Sequence, residues 1–131
     1  MKEATRSEPH KILGSEAESY FASILRENGF SVLARNYAVH RVGEIDLIAN
    51  RAHTLLCIEV KARTIRQMSD IINRPAEESV TRLKKQRIQR CMMAYLSEYL
   101  PNSSYEIIYL VAVYYVDCCG NLLHADLLTC D

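Results

Sequence analysis

Apolar residues fall along this chain in two periods. From Ser15 onward, Ala17, Tyr20, Phe21, Ile24 and Leu25 recur at three- and four-residue steps, the spacing of a helix with one buried face. Ser15 stands as its N-cap with Glu18 in the capping-box position, and Gly29 after Asn28 supplies the stop. The residues ahead of it, 1–13, are polar and unpatterned and read as a flexible tail before a single domain spanning 14–131. A second helical pattern spans Ser79–Leu100. Its apolar stripe is Val80, Leu83, Ile88, Cys91, Met92, Tyr95, Leu96, Tyr99 and Leu100, Arg82, Lys85, Gln86, Gln89 and Arg90 lie opposite, and Pro101 ends it.

The remaining apolar runs are short, β-branched and aromatic, and predict strands at Phe30–Val39, Ile45–Ala49, Leu55–Val60, Tyr105–Val116 and Leu122–Leu128. The polar break Asn50–Thr54 makes a hairpin of the second and third, and Thr64–Glu78 reads as a polar loop. The order is α-β-β-β-α-β-β. A strand after a crossover helix pairs in parallel with an earlier one, so the expected fold is α/β, a mixed sheet flanked by helices.

Composition narrows the class. The chain has 131 residues, enough for one core, with 49% hydrophobic and 24% charged residues. No run approaches a membrane span, and the N-terminal residues lack the apolar segment of a secretory signal, so a cytoplasmic location is expected. Five cysteines without a CxxC spacing fit buried thiols in a reducing compartment better than a disulfide framework or zinc site. His40 and His53 are expected on surface loops. No Walker or GxGxxG loop is present. Net charge is zero, yet residues 61–90 hold nine Lys and Arg against three acids. A phosphate backbone would be expected to lie along that basic half.

Candidate chemistry starts where that half begins. With the hairpin centred between Ala52 and His53, facing residues have numbers that sum to 105, so Asp46 faces Glu59 and Glu44 faces Lys61. Period-two alternation places these four charges on one face and Ile45, Leu47, Ala49, Leu56, Ile58 and Val60 on the other. Two carboxylates and an ammonium in one patch on apolar strands call for a partner, and a divalent cation is the obvious one. On spacing alone the alternative is a set of ordinary salt bridges on a half-exposed face. Glu16, beside the inward stripe of the first helix, is on spacing alone a helix-dipole carboxylate.

Asp46 followed by Glu59-Val60-Lys61 resembles the D…(D/E)xK motif of restriction-endonuclease-like nucleases. The wider set is similar to the YraN family, small bacterial proteins considered akin to archaeal Holliday junction resolvases. That set comprises Glu16-Ala17, Gly29-Phe30, Asn36, Gly43 through Ala49, Glu59 through Arg63, Val80-Thr81 with Lys84, and Tyr95-Leu96. The resemblance covers residues from about 14 to 126. It departs at Ser104-Tyr105-Glu106, where the family often has Arg-Phe-Asp, and at Arg74, where a glycine often precedes the long helix.

The resemblance implies a Mg²⁺- or Mn²⁺-dependent endonuclease acting on DNA, branched or structured. Asp46, Glu59, the Val60 carbonyl and Glu16 would hold the metal. Lys61 would activate water or stabilise the transition state. Glu44 would support Lys61, and Arg63, Arg82, Lys84, Lys85 and Arg87 would contact nucleic acid. It also implies a homodimer, for which Tyr114, Tyr115, Leu122 and Leu123 are the candidate contacts. The alternative is a non-catalytic nucleic-acid-binding or protein-interaction module on the same fold.

Overall fold

The computed structural model describes residues 8–67, 69–72 and 82–130. Its elements in chain order are α1 (Glu8–Glu27), β1 (Ser31–Val39), β2 (Gly43–Arg51), β3 (Thr54–Thr64), α2 (Ser69–Ile72), α3 (Arg82–Tyr99), β4 (Glu106–Val116) and β5 (Leu122–Thr129). The five strands form one sheet in sequence order. All neighbours are antiparallel except β3 and β4, which run parallel across the crossover. This is the expected α/β arrangement, a mixed sheet with a long helix on each face, consistent with a restriction-endonuclease-like fold.

The core is two layers split by the sheet. On one side Ala17, Phe21, Ala22 and Leu25 of α1 cover Leu47, Ala49, Leu56, Ile58, Ala112, Tyr114 and Val116. On the other, Cys91, Met92 and Tyr95 of α3 cover Ile45, Ile48, Leu55 and Cys57. Leu55 through Ile58 are all buried, as a central strand sandwiched on both faces must be. Each fully buried Leu or Ile there contributes about 1.5–3 kcal/mol.

Helix α1 starts at Glu8, ahead of the Ser15 start and inside the stretch expected to be a tail. The reason is Leu13, which sits one turn before Ala17 and packs against the same core cluster, so the apolar stripe reaches back past Ser15. The far end follows expectation. Gly29 takes a left-handed φ of 85°, while Gly29 N donates to Arg26 O and Phe30 N to Leu25 O, the paired closure of a Schellman stop.

The hairpin register is as expected, Leu47↔Ile58 through Arg51↔Thr54, with a two-residue turn at Ala52 and His53. Ala52 has φ 52°, and Asn50 Nδ2 steadies the turn by donating to the carbonyls of Ala52 (3.0 Å) and Thr54 (3.1 Å). The expected division into one charged and one apolar face is corrected. Ile45 and Ile48 both pack toward α3, as do their β1 partners Tyr37 and Ala34, whereas Leu47 and Ala49 pack toward α1. The alternation therefore slips by one between Ile45 and Leu47, opposite Asn36 of β1, whose φ is 54°.

Helix α3 is rotated from its expected stripe. Leu83 and Tyr99 are exposed (59% and 56%), while Lys85 leans onto the sheet. Stepping back a turn from Ile88, Cys91 and Met92 reaches positions 84 and 85, where the stem of Lys85 is half-buried and Lys84 is exposed with its ammonium on Glu59. Residues 79–81 of the expected helix lie outside the described residues. In the expected loop after Arg63, β3 runs to Thr64, Ile65 is buried against Val111, Val113 and Tyr115, and α2 forms a single turn.

Candidate functional site

The antiparallel ladder between β2 and β3 ends at Leu47↔Ile58, one pair short of Asp46 and Glu59. Beyond that point the Asp46 carboxylate replaces the missing backbone acceptor, and its Oδ2 takes a hydrogen bond from Val60 N at 2.8 Å. Strand separation and a carboxylate inserted beside it open a cavity of about 740 Å³. Asp46, Glu59, Lys61, Glu44, Glu18 and Lys84 face into it, with the backbone of β3 at Val60 and Ala62 and the Arg63 side chain along one wall. Sequence-distant positions from both long helices and the central hairpin thus meet at the end of β3.

Its electrostatics are dominated by acid. Burial pushes the Asp46 carboxyl up to about 7. The Val60 hydrogen bond opposes that, while Glu18, Glu44 and Glu59 add to it. Glu59 is held differently on its two oxygens. Oε2 forms an ion pair with Lys84 from α3. Oε1 is buried with no hydrogen-bond partner among the described residues. An orphaned, buried carboxylate oxygen next to a second carboxylate is the donor set a hard cation fits. No three acidic, imidazole or thiol side chains lie close enough to hold one ion among the described residues. The side chains would then supply two ligands, and Mg²⁺ accepts such a site because it retains water on the remaining positions.

The helix acid in the cavity is Glu18, and Glu16 is exposed on the opposite flank of α1. Glu18 Oε1 accepts from Asn36 Nδ2 at 3.1 Å and lies 3.5 Å from Arg35 Nη2, which fixes it to β1. Successive helix residues advance by about 100°, so Glu16 and Glu18 leave the Ala17 stripe by similar angles on either side. Glu16 instead adds its charge to the surroundings of Tyr114, whose hydroxyl burial pushes upward first. A sequence signal for Glu18 was present in Gly14, four residues earlier and also lining the cavity, where a missing side chain leaves room.

The basic residues divide. Lys84 and Arg63 line the cavity. Exposed Arg87 borders an adjoining cavity of about 400 Å³ that shares Glu44 and Lys84 with the first, and Arg82 is exposed at the start of α3. Lys85 does not join them. Its Nζ donates to the Cys130 carbonyl at 3.1 Å and stands over the Tyr109 ring. Tyr114 and Tyr115, expected at a dimer contact, are buried (8% and 2%) and face the interior. His40 and His53 are exposed on turns, as expected. No helix among the described residues is long and apolar enough to cross a membrane.

Comparison with known sequences gives a match to the profile described as "Uncharacterised protein family UPF0102" over residues 17–117, from the middle of α1 to the residue after β4. The UPF0102 protein of Chlorobium phaeobacteroides is 37% identical over 107 residues, covering 79% of each chain. That of Nocardia farcinica is 42% identical over 88 residues, 67% of this chain and 65% of its own. The Acinetobacter baylyi protein is 51% identical over 53 residues, 40% of this chain and 37% of its own.

Proposed function

For a chain that belongs to UPF0102, the YraN family, we propose divalent-metal-dependent hydrolysis of phosphodiester bonds in nucleic acid, with DNA as the substrate class. The observation that carries this reading is the Asp46–Glu59 pair. Two carboxylates share one polar cavity, and one of their oxygens is buried without a partner.

Asp46 and Glu59 would hold Mg²⁺ or Mn²⁺, with the Val60 carbonyl as a further oxygen donor, and Val60 N fixes the Asp46 carboxylate through its hydrogen bond. What the cation supplies when bound is Lewis acidity toward a phosphate oxygen and toward water. Lys61, two residues after Glu59 on the cavity wall, would orient the attacking water or, in its neutral form, deprotonate it, or as an ammonium would face the charge that develops on phosphorus. Glu44 shares the cavity with Lys61 and supports its ammonium. Lys84 balances the Glu59 carboxylate and, from the same cavity wall, would face a bound phosphate. Arg63, Arg82 and Arg87 would follow the phosphate backbone away from the site.

A second reading keeps the fold without turnover, as a binding module for nucleic acid or protein. The ion pair of Lys84 with Glu59 favours it, because the chain's own lysine already balances one of the two acids. One experiment separates the two: incubating labelled four-way junction, flap, single-stranded and duplex DNA with the protein in Mg²⁺ or Mn²⁺, alongside Asp46→Ala and Lys61→Ala. Cutting that both substitutions and a chelator abolish is expected, with losses of at least a hundredfold. Binding without cutting would establish the second reading instead.

A further inference from the structure

β5 is the last strand of the sheet, and nothing among the described residues pairs with its outer edge. The opposite edge is guarded. β1 carries a register shift between Val32 and Ala34, a left-handed Asn36 and the charge of Arg35. β5 has no Pro, Lys or Arg from Leu122 to Thr129, and pairs with β4 in unbroken register from His124 to Thr129. Its apolar side chains are left in water: Leu123 is 41% exposed and Leu127 44%.

The order of its residues says what fits there. Leu122-Leu123-His124-Ala125-Asp126-Leu127-Leu128 is chemically symmetric about Ala125. From this pattern we propose that a second copy of the chain docks on this edge, β5 pairing antiparallel with β5 about a two-fold axis through Ala125 and perpendicular to the sheet. In that register Ala125 faces the partner's Ala125, Leu123 faces the partner's Leu127, and His124 faces the partner's Asp126.

The faces agree. Ala125 and Leu127 lie opposite Tyr114 and Ala112 on the α1 side, where Leu122 also lies opposite Val116, and Leu123 is the extra residue of the slip between Leu122 and His124. His124 and Asp126 lie opposite Tyr115 and Val113 on the α3 side. The axis brings four exposed leucines together as two cross-strand pairs. On the α3 side, His124 Nε2 and Asp126 Oδ1 of one chain, 2.8 Å apart, meet the same pair reversed. Opposite-charge and apolar cross-strand pairs each stabilise such an edge, whereas like charges opposite one another repel.

The slip between Tyr115 and Val116 ends regular pairing at the Leu122 end. Because the axis is two-fold, the contact closes on itself as an isologous dimer that uses both β5 edges and leaves only the guarded β1 edges outermost. Resting on the proposed reading of the site, the consequence is geometric. Both cavities lie on the same side of a ten-stranded sheet, five strand spacings apart and offset along the strands, roughly 30 Å in a flat sheet. Two phosphates on different strands of a branched duplex are within that reach.

The test is the oligomeric state of the full chain by light scattering and sedimentation across a concentration series. Twice the monomer mass is expected. His124→Asp, which sets four carboxylates around the axis, and Leu127→Lys should each return the monomer. The reversed pair His124→Asp/Asp126→His should restore the dimer, which a folding defect could not do. In a Cys118→Ser/Cys119→Ser background, Ala125→Cys should cross-link two chains at a single position under mild oxidation, and Thr129→Cys should not. A monomer at every concentration, a dimer indifferent to both single substitutions, or no cross-link at position 125 would overturn the proposal. None of these outcomes depends on cleavage, so the docking and the activity fail separately.

Discussion

Asp46 is the residue whose environment departs most from that of an ordinary surface acid. Its folded pKa is raised to about 7 from the usual 3.8, chiefly by burial. The folded chain therefore binds a proton that the unfolded chain has released across that interval. The sign follows: Asp46 destabilises the fold progressively as pH rises from about 4 to about 7, and the penalty levels off above, at a few kcal/mol. Unfolding in the presence of a chelator at about pH 5 and about pH 8 should show a higher midpoint at the lower pH as far as this residue is concerned, and Asp46→Asn should erase that difference. Mn²⁺ added at the higher pH should recover the lost stability, because a cation favours the ionised carboxylate. A wild-type midpoint no lower at high pH than that of Asp46→Asn would show the carboxyl to be solvated. The motif itself, Asp46 with Glu59-Val60-Lys61, was legible in the sequence because hairpin register follows from the turn. Its detailed environment was not, since the ladder stops at Leu47 and a carboxylate, not a carbonyl, accepts from Val60 N.

At the scale of elements, what sequence could not supply was rotation. Periodicity identifies the buried stripe of α1 but not which flank of that stripe lies over the open end of the hairpin, so Glu16 and Glu18 were equivalent until the sheet was placed. The same holds for α3, where Lys85 turned inward, onto the Cys130 carbonyl and the Tyr109 ring, and Leu83 outward. The assignment can be tested directly. Glu18→Gln should weaken Mn²⁺ binding, followed by titration calorimetry, by about tenfold, the low end for groups that support metal ligands. Glu16→Gln should leave it unchanged, and the reverse order would return the helix acid to Glu16. A parallel pair after the crossover helix was legible, but which earlier strand it joins was not, since the connection rule fixes the hand and direction of the crossover and leaves the partner open; the partner is β3.

For the molecule as a whole, neutrality conceals a polarised charge distribution. The basic segment ends in α3, whose exposed Arg87 borders the cavity that adjoins the acidic one. Binding to duplex DNA should weaken with salt, log affinity falling by about 0.9 per phosphate contacted for each unit of log salt. Arg87→Ala should lower that slope by about 1. Lys85→Ala should leave it alone, because that ammonium is already committed to the Cys130 carbonyl. Equal effects of the two substitutions on the salt slope would mean that α3 turns differently in the complex.

The parallel register between β3 and β4 also bears on how the molecule comes into being. Position 54 pairs with position 106, and every later pair keeps that separation, so the central contact of the sheet closes a loop as long as both intervening helices and their connections. The β2–β3 hairpin is local and forms early, carrying Asp46 and Glu59 on a ribbon with one side open. As the chain leaves the ribosome, every residue that lines the candidate cavity, from Leu13 to Lys84, is therefore made well before β4 is there to extend the sheet. The walls of the site all come from the part of the chain that is made first, and β4 and β5 add the rest of the sheet without lining it.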